Sequence, residues 1–198
     1  MREPLIEEPG LPPAQGEEEH LSLALANSAI ALTSGHTVDL LGTPAQADHW
    51  LTERGLAPAD AGMREMCVTQ LRSLREQIRS LFAARAENLP ALPAAVQAVN
   101  DAMTRVPTAP LLLWDEKTGP YRATSHPTTA IVDHALATLA ADASDLLTGT
   151  EADRLTACGS APCNRYLLRY GRRQWCSTRC GDRARAARAY ARRTTASP

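Results

Sequence analysis

Four of the chain's five cysteines stand in one run, Cys158, Cys163, Cys176 and Cys180, with the spacing Cys-x4-Cys-x12-Cys-x3-Cys. Two close pairs joined by a loop suit a tetrahedral four-thiolate zinc site. Each pair supplies two ligands from one turn, and the loop lets the pairs face each other. The run spans 23 residues, too few for a hydrophobic core. Metal binding would then supply the folding energy, about 10 kcal/mol or more in small zinc modules. Four protein thiolates leave no open position for water, so one structural zinc ion is expected rather than a catalytic one. Two disulfides, or a redox switch that releases zinc on oxidation, are the rival readings. The acidic, Pro-rich start "MREPLIEEPGLPPAQGEEEH" is unlike a signal peptide. No apolar run reaches the length of a membrane span. Both point to a cytoplasmic protein with no membrane partner, where thiols stay reduced and clustered cysteines more often hold metal. Cys67 stands alone and reads as packing.

Charge is distributed unevenly around this run. Residues 158–198 hold ten arginines and one acid, Asp182, for a net charge of +9. Residues 1–157 therefore carry −10 in a chain whose total is −1. A basic end on an acidic body suggests polyanion binding. Ser177 can cap a helix through "TRCGDRARAARAYARR". On that helix Ala184, Ala187 and Ala191 share one face. Arg185, Arg188 and Arg192 flank it on one side, and Arg179, Arg183 and Arg193 on the other. The alanines suit close packing, and the arginines suit phosphates or base edges. The expected DNA contacts are Arg172, Arg173, Arg179, Arg183, Arg185, Arg188 and Arg192.

The remaining elements must position this unit. Residues 1–18 read as a disordered acidic arm. "LSLALANSAIALTS" reads as a buried helix, although its odd-numbered leucines also allow a strand. Thr43-Pro44 opens a helix carrying Trp50 and Leu51. Asp60 is placed to cap a long helix with Met63, Met66, Cys67, Leu71, Leu74, Ile78, Leu81 and Phe82 on one face. Pro90 or Pro93 starts a shorter helix with Val96, Val99 and Met103. "APLLLWDEKTGPYRATS" changes period and predicts a β-hairpin around a Lys-Thr-Gly turn. Pro127 opens another helix, with Ile131, Ala135, Leu136, Leu139 and Leu146 inward. The fold class is therefore mainly α. A helical N-terminal domain over 19–150 carries a minor β-hairpin. A linker over 151–157 leads to a small C-terminal four-cysteine zinc finger over 158–193, which ends in a basic helix, and 194–198 form a tail. Asn27 and Arg75 are polar groups within apolar helices. With Trp50 they are candidate ligand contacts in a pocket between helices; Trp50 and Trp114 also suit core packing. The sequence contains no Gly-rich phosphate loop, Gly-x-Ser-x-Gly elbow or His-Glu-x-x-His pair, and its histidines are scattered. A non-enzyme is expected.

"RRQWCSTRCGDR" resembles the signature of CGNR zinc fingers, whose core reads R-R-W-C-S-x-x-x-C-G-N-R. Asp182 stands where that signature has asparagine, and the loop "NRYLLRYGRRQ" is shorter than the family's. "LALANS" with Asn27, "HWL" at 49–51 and "LRSLREQIRSLF" resemble the ABATE domain, which precedes such fingers and is linked by name to stress-induced transcription regulators. The resemblance implies a bacterial DNA-binding regulator. Its finger would contact DNA, and its helical domain would sense a small-molecule or stress signal or form a homodimer. Two other readings compete. One is a protein-interaction module whose basic finger binds an acidic partner. The other is a small-molecule-binding or resistance protein built on the helical domain.

Overall fold

Helices α1 (Leu21–Ala26), α2 (Pro44–Glu53), α3 (Glu65–Glu87), α4 (Pro93–Thr104) and α5 (Ile131–Thr148) form the N-terminal body, and α6 (Thr178–Thr195) follows the cysteines. Three two-stranded antiparallel hairpins lie among them: β1 (Ala29–Ala31) with β2 (Thr37–Asp39), β3 (Leu111–Asp115) with β4 (Gly119–Ala123), and β5 (Leu155–Ala157) with β6 (Tyr166–Leu168). This computed structural model describes residues 12–59, 61–106, 111–123 and 130–195.

The core follows from the period of α3. Val68, Leu71, Leu74, Ile78, Leu81 and Phe82 recur every three or four residues and are all buried. The helix is 23 residues long, about 35 Å, so α1, α4 and α5 can all pack along it. The helix starts at Glu65, with Arg64 at its N-cap. Asp60, the expected cap, lies outside the described residues, and Met66 is exposed in the first turn. On α4 the inward face is Ala95, Val99 and Ala102, and Val96 is exposed. "LSLALANSAIALTS" is both helix and strand: α1 stops at Asn27, and Ala29–Ala31 becomes β1. Thr43 caps α2 as expected, accepting a hydrogen bond from the Gln46 amide. The β3–β4 hairpin is present, but Trp114 is exposed at its tip with Leu112 and Tyr121. Pro127 lies outside the described residues; α5 begins at Ile131.

Two expectations about the domain boundaries need correcting. Residues 151–157 are not a linker. They form a turn of 3-10 helix (Ala152–Arg154) and then β5, with Leu155 in the main core. Residues 12–18 are folded rather than disordered. The Leu168 amide donates to the Gln15 carbonyl at 2.7 Å, so the arm lies along the edge of β6. Gly16 sits here at φ +96, where an added Cβ would come within 2.7 Å of Leu168 Cγ. Only glycine fits so close an approach with that backbone.

The physical reason for both corrections is β6, which is buried on both faces. Tyr166 and Leu168 point into the helical core, where Tyr166 meets Phe82 edge-on at 5.8 Å. Leu167 points the other way and packs with Ala14, Cys158, Cys176 and Cys180. Alternation along one strand thus joins two cores. The finger is built into the helical body rather than tethered to it.

Candidate metal centre

Each cysteine is positioned by a different local device. Cys158 follows β5, and its amide donates to the Arg165 carbonyl at 2.8 Å. Cys163 closes a turn, donating its amide to Ser160 O at 2.9 Å. Cys176 precedes α6 and Cys180 lies in its first turn. Ser177 caps that helix as expected, its Oγ accepting from the Cys180 amide at 3.2 Å. The four Sγ atoms lie within 4.8 Å of one another, with Cys163–Cys176 at 3.6 Å and Cys176–Cys180 at 3.5 Å. A tetrahedron with Zn–S bonds of about 2.3 Å has edges of about 3.8 Å. The sulfurs therefore fit a zinc ion and lie too far apart to be disulfides; all five cysteines are free. Cys67 is half-buried on α3, outside the cluster.

The sulfurs are electrostatically coupled. Hydrogen bonds from the Cys163 and Cys176 thiols pull Cys158 well below the ordinary thiol range. The same bonds push Cys163 and Cys176 up, because they act as the donors. Zinc takes the place of these protons, so its binding releases them. Four thiolates around a divalent ion carry a formal charge of −2, and two arginines face it. Arg183 Nη2 lies 3.3 Å from Cys180 Sγ, and its guanidinium also donates to Ser160 Oγ at 3.1 Å and Ser160 O at 3.0 Å. Arg165 Nη1 lies 3.9 Å from Cys176 Sγ. Arg165 is only 3% exposed. Its Nη2 donates to both Glu17 carboxylate oxygens at 2.9 Å, and its Nη1 donates to Pro12 O at 3.1 Å.

A family model with the description "Putative stress-induced transcription regulator", the ABATE domain, matches residues 19–150, two thirds of the chain. The chain belongs to the ABATE family. The CGNR zinc finger model matches residues 154–193, so the four cysteines of this ABATE protein form a structural zinc site. No curated protein matches the sequence. No described helix is long and apolar enough to cross a membrane.

The remaining signature residues have a physical basis in this ABATE protein. An added Cβ at Gly181 would meet Trp175 at 3.2 Å, so glycine lets the indole lie against the start of α6. The Arg185 and Arg188 guanidiniums stand 5.8 and 5.5 Å from the Trp175 ring. Asp182 pairs with Arg185 at 2.5 Å.

The arginines read as DNA contacts divide. Arg172, Arg173, Arg179, Arg185, Arg188 and Arg192 are exposed, whereas Arg183 is half-buried and engaged by the zinc knot. On the alanine face expected to pack, Ala184 is half-buried and Ala187 and Ala191 are exposed. Sequence reasoning missed Arg165 and Glu17. One arginine among ten gave no signal; its place between two ligands, next to "YLL", was the only hint.

Among the described cavities, none is lined by all three residues proposed for a ligand pocket. Asn27 lines a cavity beside the arm, but its amide also pairs with the backbone of Tyr166. Its Nδ2 donates to Tyr166 O at 2.8 Å, and its Oδ1 accepts from the Tyr166 amide at 2.7 Å. Trp50 is 2% exposed in the core, with Arg54 over its ring at 4.3 Å. Arg75 is buried and engaged by Asp39 at 2.6 and 2.9 Å, Ser28 Oγ at 3.0 Å and Glu76 at 3.0 Å.

Burial of Asp39 opposes ionisation, but the hydrogen bond and charge of Arg75, the Leu41 amide and the charge of Arg72 prevail and lower its pKa. A carboxylate lowered in the folded state contributes stability above its unfolded pKa of about 4 and loses it as pH falls through the lowered value. Stability should therefore fall as pH drops below about 4, with a shallower fall in Asp39→Asn. Urea unfolding at stepped pH measures this, and equal slopes for both proteins would rule it out.

Proposed function

We propose that this ABATE-family protein is a DNA-binding transcriptional regulator whose zinc finger presents α6 to DNA and whose helical domain senses a signal. The observation that supports this most is α6 itself. The zinc knot fixes its first turn, and Arg179, Arg185, Arg188 and Arg192 are exposed along the helix. Arg172 and Arg173 stand exposed in the loop before it. A rigidly held basic helix suits groove or phosphate contact. Zinc acts here as a structural ion, setting the direction in which the helix leaves the body.

The test is a binding assay on genomic DNA fragments across a salt series. With about six phosphate contacts, log K should fall with log salt at a slope near −5. Removing Arg185 and Arg188 together should reduce that slope by about 2 and weaken binding roughly 100-fold at physiological salt. Arg183 is left intact because its loss would disturb the knot. Uniformly weak binding to every fragment, lost with modest salt and unaffected by the double substitution, would refute the reading and point to an acidic protein partner.

A further inference from the structure

A cavity of about 660 Å³ opens where the arm, the N-terminal body and the finger meet. This is within the size range of small-molecule sites, which favour such junctions. Leu21, Ala24, Ile30 and Leu40 supply an apolar part of its wall. The charged part is unbalanced. Glu17 and Arg165 on the wall satisfy each other. Glu53 is met by His49 at 3.1 Å and Arg54 at 3.7 Å. Glu18 has no side-chain partner among the described residues, and it faces the cavity from the exposed end of the arm. An anion entering here would meet three carboxylates and guanidiniums already held by them. A cation with an apolar body would pair with Glu18 and cover the aliphatic wall.

The same cavity touches the zinc finger. Arg165 lines it, and its guanidinium also lies 3.9 Å from the sulfur of Cys176. Asn27, on the wall too, holds the backbone of β6. A ligand that shifts the Glu17–Arg165 pair therefore acts on residues that fix both the zinc sulfurs and the strand leading to them.

We propose that this cavity is the effector site, that it takes a small organic monocation with an apolar body, such as an alkylammonium ion, and that the Glu17–Arg165 pair passes its occupancy to the finger. The proposal rests on reading the helical domain as a sensor. The test uses the full zinc-loaded chain and n-octylammonium below its aggregation concentration, followed by calorimetry. n-Octyl sulfonate and n-octanol are the controls. One saturable site for the ammonium ion is expected, with the controls at least about tenfold weaker. Glu18→Gln, at an exposed position that leaves the fold intact, should weaken the ammonium ion about tenfold. Leu40→Trp, which fills the cavity, should abolish binding, with circular dichroism and zinc content reporting its fold. Ala24→Phe replaces it if it fails to fold. Equal binding of the sulfonate, unchanged affinity in Glu18→Gln, or binding that survives a folded cavity-filling variant overturns the proposal. DNA affinity separates this site from the regulator reading. Ammonium binding in a chain with no DNA affinity keeps the site and removes the regulator. DNA binding without ammonium binding does the reverse. A chain that binds both should change its DNA affinity when the probe saturates it, and an unchanged affinity overturns the coupling.

Discussion

Cys176→Ser should lose its zinc and, with it, the DNA binding proposed for α6. Cys176 lies 3.5 Å from Cys180 and 3.6 Å from Cys163, so its sulfur is one corner of the tetrahedron. A serine hydroxyl is a poor zinc ligand at neutral pH because it holds its proton. Arg165 and Arg183 would then face fewer thiolates, and the cover formed by Ala14 and Leu167 would lose its partner. Metal binding supplies about 10 kcal/mol or more in such units, and the other contacts at the start of α6, Ser177 on the Cys180 amide and Arg183 on Ser160, belong to the same knot. Zinc content should drop from one per chain to near zero, and the helical signal of the 18 residues of α6 should be lost. The helices of the body should remain, because α3 and α5 pack in a core without the cysteines. DNA affinity should fall by at least about 100-fold, since α6 no longer has a fixed direction. Cys67→Ser is the control, because Cys67 lies outside the cluster, and it should change neither quantity. Normal zinc content and DNA affinity in Cys176→Ser would remove the metal centre from the account of α6.

What could be read from the sequence depended on how local each signal was. The zinc ligands were legible because metal spacing is a property of two short turns. The Ser177 cap, the face of α3 and the β3–β4 hairpin were legible for the same reason: the residues that decide each lie within a turn or two. The joint between finger and body was not. Glu17 is 148 positions from Arg165, and Asn27 is 139 from Tyr166, so no window contains both partners. The acidic, Pro-rich composition of residues 1–18 suggested disorder, but one buried ion pair and an edge contact with β6 order residues 12–18. Arg183 matched the pattern of a surface arginine stripe, yet one turn of helix brings it onto the Cys180 sulfur. Trp114 shows the opposite failure. An aromatic residue in an apolar run suggested core, but on the two-stranded β3–β4 hairpin its side chain is exposed.

Arg165→Ala should be the most damaging single change outside the cysteines. The residue is 3% exposed and Glu17 has a side-chain exposure of 12%, so water can replace little of what is lost. Alanine removes the two bonds to the Glu17 carboxylate, the bond to Pro12 O and the contact with Cys176 Sγ. Glu17 keeps the Ala14 amide and the Asn27 side chain but loses its counter-charge. Removing one partner of a buried ion pair costs about 3–5 kcal/mol, or roughly 10 °C in Tm for a chain of this size. Arg165→Lys should recover only part of this, because one ammonium nitrogen cannot serve both the Glu17 carboxylate, which Nη2 meets, and Pro12 O with the Cys176 sulfur, which Nη1 meets. Glu17→Ala separates the two roles. It should cost a similar amount of stability but leave Arg165 beside the sulfur, so zinc affinity should fall further in Arg165→Ala than in Glu17→Ala. A double-mutant cycle over both residues should show strong coupling. An unchanged Tm in Arg165→Ala, or additive single effects, would mean that β6 and the bonds between Asn164 and β1 hold the finger to the body without help from this pair.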